Sequence, residues 1–179
     1  DIQKWLPAEK RLNHAPEILS FGRRVQTEES ARISVVIPLY NKEAEVERAL
    51  RSVVEQSLAP GEIIVVDDGS TDGSRAIVER IIAEDPEAGI RLITQPNSGV
   101  SAARNRGIAE AKGDYIALLD ADDMWLTGYI AEVCRLMEYY PEADGYATAF
   151  DIVNGTQRVA APVPTTEGYI NIAEEALLR

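Results

Sequence analysis

Between residues 32 and 123, short β-branched runs alternate with stretches of helical period, and few architectures accept that rhythm. The runs are Ile33-Ser34-Val35-Val36-Ile37, closed by Pro38, then Ile63-Ile64-Val65-Val66, Ile90 to Thr94, and Tyr115 to Leu119. Between them lie three helical faces: Val46, Ala49, Leu50 and Val53; Ile77, Val78, Ile81 and Ile82; Val100, Ala103, Gly107, Ile108 and Ala111. Asn41 is the expected cap of the first helix, Ser70 or Thr71 of the second, and Gly113 the expected stop of the third. Four strands alternating with three helices predict an α/β fold with a mostly parallel central sheet flanked by helices. Right-handed crossovers then bring every loop that follows a strand to one sheet edge, where open α/β sheets bind ligands. Those loops are Tyr40-Asn41, Asp67-Asp68-Gly69, 95–99 and 120–123. A fourth helix follows, with Ile130, Val133, Cys134 and Met137 on one face, which makes Cys134 a small core residue. Farther on, Asn154-Gly155 between two apolar runs predicts a hairpin.

The run Tyr115 to Leu119 reads as a buried, central strand that ends directly in Asp120-Ala121-Asp122-Asp123. If the backbone stays extended, Asp120 and Asp122 face the same way. Two carboxylates at ~4 Å repel by about 4 kcal/mol at an effective dielectric near 20, so something must offset the charge. A hard divalent cation is one answer, since such ions bind one or two carboxylates together with substrate phosphates. The formal net charge of −12 argues against nucleic acid as a partner and favours a bridging cation for any phosphate ligand. A single cysteine excludes an intrachain disulfide and a cysteine zinc site, and the one histidine, His14, reads as a surface residue. No apolar run approaches the ~20 residues that span a bilayer.

Taken singly, each acidic loop has a plain structural explanation. Asp67-Asp68-Gly69-Ser70 is a turn composition, Asp120-Ala121-Asp122 is a spacing that a chain with 30 acidic residues produces by chance, and Pro38 to Asn41 is a strand stop with a cap. Ser98-Gly99 to Arg104-Asn105 is a helix start with a solvated arginine. Their joint placement at one sheet edge is what points to a site.

The four segments together resemble the family 2 glycosyltransferases of GT-A fold. The matching residues are Val36-Ile37-Pro38-Leu39-Tyr40-Asn41, then Ile64 through Asp72, Asn97 through Gly107, and Gly113-Asp114-Tyr115-Ile116 through Asp120-Ala121-Asp122-Asp123. The resemblance spans about residues 32 to 150 and implies a Rossmann-like GT-A domain that binds a nucleotide-sugar donor, expected to be UDP-linked. It implies that Pro38, Tyr40 and Asn41 line the base, that Asp68 accepts from the uracil imide N–H, and that Asp67 supports that loop or the ribose. Gly99, Arg104 and Ala121 join the donor site, with Arg104 facing the acidic edge or the diphosphate. Asp120 and Asp122 match the D-x-D pair that holds Mn or Mg, Asp122 directly and Asp120 near the ribose and a metal-bound water. The implied acceptor is a carbohydrate or a lipid-linked sugar, and the implied setting is the cytoplasm with room for peripheral membrane association.

Inverting members take a catalytic Asp or Glu from the acceptor half. Asp151, Glu174 and Glu175 stand in unsuitable contexts, so the expected organisation is an N-terminal extension (1–31), a donor-binding domain (32–160) and the start of a truncated acceptor-side region (161–179), with the base elsewhere. A binding module that holds the donor without transfer is the alternative. A flavodoxin-like signalling domain is disfavoured because no lysine follows Lys112. A dinucleotide-binding dehydrogenase lacks its G-x-G-x-x-G, and a nucleotidyltransferase its Gly-rich first loop.

Overall fold

The computed structural model describes residues 26–148, 151–154 and 157–160. They fall into two units, described separately: one up to Tyr146, and one beyond it that carries a hairpin.

In the first unit a four-residue helix, α1 (Glu28–Ala31), leads into strand β1 (Ile33–Leu39). Thr27 and Ser30 close a capping box on α1. Helix α2 (Val46–Val54), strand β2 (Glu62–Asp67), helix α3 (Ser74–Glu84), strand β3 (Ile90–Thr94), helix α4 (Val100–Glu110), strand β4 (Tyr115–Leu118) and helix α5 (Tyr129–Tyr139) follow. All strand pairings are parallel and the order is β3-β2-β1-β4. The predicted alternation is therefore realised element for element.

Strand β1 is the heart of this sheet, since every one of its residues is buried. Its side chains alternate between two layers. Ile33, Val35, Ile37 and Leu39 pack with Val46, Leu50 and Val53 of α2, Val78 and Ile81 of α3, and Ile130, Val133, Cys134 and Met137 of α5. Val36 turns the other way, joining Ile64, Val66 and Ala103 under α4. There a Cβ on Gly107 would stand 2.3 Å from Val36 Cγ1, so glycine lets α4 lie close on the sheet. Burial lifts the Cys134 thiol to about 11, as suits an inert core residue.

Five expectations need correction. Strand β4 is not central: among the described residues it pairs with β1 alone, and Leu118 is 48% exposed. An apolar run reports that a strand is covered in part, not which side carries a neighbour. Strand β1 runs on through Pro38 to Leu39. Val36 O accepts from Leu119 N at 3.1 Å, so Pro38, two residues on, turns its missing N–H to the same side, past the point where the β4 ladder has ended. Asn41 does not cap α2, which starts at Val46; it sits at φ 48° and its Oδ1 accepts from Thr71 N at 2.8 Å. Neither Ser70 nor Thr71 caps α3, which starts at Ser74 where Asp72 Oδ1 accepts from Ser74 N at 3.0 Å. Likewise α4 ends at Glu110, before Gly113. The role of Gly113 is close packing, because a Cβ there would stand 2.4 Å from Arg32 O.

In the second unit β5 (Asp151–Asn154) and β6 (Gln157–Ala160) pair antiparallel, so the predicted hairpin is present, but Asn154 is the last residue of β5, opposite Gln157, rather than a turn residue.

Candidate donor site at the C-terminal sheet edge

Parallel strands deliver the four strand-end loops to one edge, and sharp backbone turns hold them there. Asn41, Gly69 and Gly99, one in each of the loops after β1, β2 and β3, all have positive φ. At Gly69 (φ 74°) a Cβ would also stand 2.9 Å from Asn97 N, so the second and third loops touch only because glycine is there.

Asp68 is the fastener of this edge. Its own N–H donates to Leu39 O at 2.8 Å. Its carboxylate accepts from Gln95 Nε2 at 2.8 Å, Ser98 N at 2.9 Å and Gly99 N at 2.8 Å. Burial alone would raise this carboxyl, but those three donors outweigh it and hold Asp68 below the ordinary carboxylate value. With 2% exposure and one acceptor position left, the side chain supports the edge from beneath. Asp67 is 1% exposed and accepts from Ser70 N at 3.0 Å, bracing the same turn. Asn41 N donates to Ser70 Oγ at 3.1 Å, clipping the first loop to the second. The Tyr40 ring stays 46% exposed at this edge.

The acidic loop after β4 is not extended. Asp123 N donates to Asp120 O at 3.0 Å, so residues 120–123 form a tight turn. Ala121 points into the core at 3% exposure. Asp120 and Asp122 therefore meet different partners rather than one another. Arg104 Nη2 lies 2.5 Å from Asp120 Oδ1, and Lys42 Nζ lies 2.6 Å from Asp122 Oδ2. Arg48 Nη2 donates to the Asp122 carbonyl at 2.6 Å. Lys42 holds the Asp122 carboxyl below its ordinary value. Asp123 goes the other way, raised by burial and then by the charges of Asp122 and Asp120. The repulsion predicted for the acidic loop is thus offset by the chain's own cations.

Lys42 and Arg48 escape sequence reasoning. Nothing in their local pattern marks them, and only the fold brings them to a loop about 80 residues away.

Among the described residues no three His, Cys, Asp or Glu side chains converge as a metal cage. What the edge does offer is a pair of carboxylates at 45% and 47% side-chain exposure, each already holding a cation. That donor set fits an oxygen-loving ion shared with phosphates. Arg104 Nε is buried without a hydrogen-bond partner among the described residues, leaving this guanidinium an unspent donor.

The profile described as "Glycosyl transferase family 2" matches residues 34–173. The chain belongs to that family. An uncharacterized glycosyltransferase of Nostoc sp. is 37% identical over 129 residues, covering 71% of this chain and 39% of that protein. TuaG of Bacillus subtilis, named for teichuronic acid biosynthesis, is 40% identical over 93 residues, covering 52% of this chain and 36% of that protein. Among solved structures, TarS 1-349 of S. aureus in complex with UDP shares 26% identity at a TM-score of 0.56, over 61% of this chain and 32% of that one. The mannosyltransferase PcManGT of Pyrobaculum calidifontis, in complex with GDP-Man and Mn2+, shares 26% identity at a TM-score of 0.55, over 75% of this chain and 37% of that one. The chain thus spans well under half the length of these relatives. The GT-A expectation for the fold holds.

Proposed function

We propose that residues 32–160 are the donor-binding domain of an inverting, divalent-metal-dependent glycosyltransferase that takes a UDP-linked sugar. The observation that carries this reading is the meeting of Asp120, Asp122, Arg104 and Lys42 beside the Asp68-fastened loop, at the edge where a parallel sheet binds ligands. The neighbours captured with UDP and with GDP-Man and Mn2+ support the same chemistry.

The exposed Tyr40 ring supplies apolar area for the base, with Pro38 and Asn41 beside it. Asp68 and Asp67 hold the wall against which uracil would lie, and Gly99 opens α4 with a backbone free of a Cβ. Arg104 binds and orients the diphosphate or the Asp120 carboxylate, a task suited to a planar guanidinium. Asp122 and Asp120 would hold Mn or Mg. That ion would supply Lewis-acid neutralisation of the departing diphosphate. The acceptor hydroxyl, on a carbohydrate or lipid-linked sugar, needs a base from an acceptor-side region that begins near residue 161. Envelope polysaccharide is the product class we propose, on the likeness to TuaG. The reaction would run in the cytoplasm at the membrane surface. Among the described residues no helix is long and apolar enough to cross a membrane.

The test is thermal unfolding with UDP, with Mn, and with both. Ligand at 100-fold its Kd stabilises by about 2.7 kcal/mol, about 5–10 °C for a domain of this size. UDP with Mn is expected to give a shift of that order, and either alone much less. The Asp122→Ala chain is expected to lose the metal-dependent part. No shift with the pair would refute the donor site.

A further inference from the structure

The β1–α2 segment brings a cation to the acidic loop in an arrangement that suggests exchange rather than permanent pairing. Lys42 is rooted firmly: its backbone N–H donates to Ser74 Oγ at 2.8 Å, and the next residue's N–H donates to Asp72 Oδ2 at 3.1 Å. The ion pair its side chain ends in is open to water by contrast, with side-chain exposures of 38% for Lys42 and 47% for Asp122. An exposed pair of this kind contributes little net stability, so breaking it is cheap.

The acidic loop does not depend on Lys42 for its shape. Arg48 grips the Asp122 backbone carbonyl at 2.6 Å, the Asp120–Asp123 turn has its own hydrogen bond at 3.0 Å, and Ala121 is anchored in the core. Removing the ammonium would leave the Asp122 backbone where it is. An ammonium 2.6 Å from Asp122 Oδ2 takes one of the acceptor positions a divalent ion would use on that carboxylate, and two cations there would repel.

We infer that Lys42 is an exchangeable counter-ion of the donor site: it holds Asp122 until a divalent cation takes that carboxylate, and then its freed ammonium binds the nucleoside diphosphate. This deepens the donor-site reading and rests on it. The lysine's flexible stem lets one rooted residue serve both positions, and its compact charge suits a phosphate oxygen as well as a carboxylate. Lys42 is thus a diphosphate-binding residue for the bound donor and a competitor of the metal in its absence.

The experiment measures two constants on wild type and on Lys42→Met and Lys42→Arg chains. Binding of Mn without nucleotide is followed by the electron paramagnetic resonance of free Mn2+. Binding of UDP at saturating Mn is followed by calorimetry. In Lys42→Met, Mn affinity is expected to rise about three- to fivefold, because an exposed ion pair no longer competes. UDP affinity is expected to fall by about fivefold or more, through loss of a charge-assisted hydrogen bond. Lys42→Arg is expected to recover most of the UDP affinity. A damaged fold would weaken both constants, so opposite movement is the signature. If wild type binds no UDP with Mn, the donor site itself falls and this inference with it. If wild type binds and Lys42→Met moves the two constants in any other pattern, the role of Lys42 alone falls.

Discussion

Replacing Asp68 by alanine removes the acceptor on which three donors from the β3–α4 loop converge. Hydrogen bonds to a charged group contribute about 1.5–3 kcal/mol each, so a plain sum would exceed 4 kcal/mol. Two terms reduce it. Ser98 and Gly99 are exposed residues whose amides can turn to water, and the buried carboxylate's own desolvation cost vanishes with it. A net loss of about 2–4 kcal/mol is expected, with Gln95 the least able to find a new partner. Asp68→Asn should lose about half as much, because one carbonyl oxygen remains while its NH2 faces N–H donors. Urea unfolding without ligand measures the loss, and hydrogen exchange of the Ser98 and Gly99 amides reports whether it is local. A value within about 0.5 kcal/mol of wild type, the range of ordinary surface changes, with unchanged exchange at both amides, would refute the fastening role.

Gly107→Ala should cost about 1–3 kcal/mol by overpacking, since its Cβ would stand 2.3 Å from Val36 Cγ1; urea unfolding of the ligand-free chain checks it, and a neutral result would mean α4 lies farther from the sheet. Acid should also weaken the fold. Asp68, Asp72, Asp122, Glu47 and Glu84 all sit below their ordinary values in the folded chain. Groups depressed on folding stabilise above the unfolded pKa of about 4 and lose that contribution as pH falls through the folded value. Midpoints of thermal unfolding should therefore hold steady between pH 7 and 5 and drop below about pH 4, and a rise on acidification would contradict the assigned pairings.

What was legible in the sequence was what period and composition encode. The β-branched runs and helical faces gave every strand and helix of the sheet, and Cys134 took its core position because its neighbours Ile130, Val133 and Met137 share its face. The site was legible as an edge, through strand-end placement and the resemblance. Its wiring was not. Asn41 looked like a cap because its type favours caps, yet it bonds Thr71, thirty residues on, and no local propensity contains that choice. Asp120 and Asp122 looked paired because alternation assumes extended backbone, and a turn overrides it. Lys42 and Arg48 were invisible because a cation's partner is a fact of tertiary structure. The edge position of β4 was hidden for a related reason, as an apolar run does not reveal which strand lies beside it.

In the function proposed above, distant strand-end loops form one binding edge for a nucleotide and a divalent ion. The most direct measurement is paramagnetic broadening of backbone amide signals by Mn2+ in the presence of UDP. Strong, UDP-enhanced broadening is expected at Lys42, Ser98, Gly99 and Asp120 to Asp123, with the opposite sheet edge at Glu62, Lys112 and Gly113 left sharp. Broadening centred on Glu62 and Lys112, or none that depends on UDP, would contradict it.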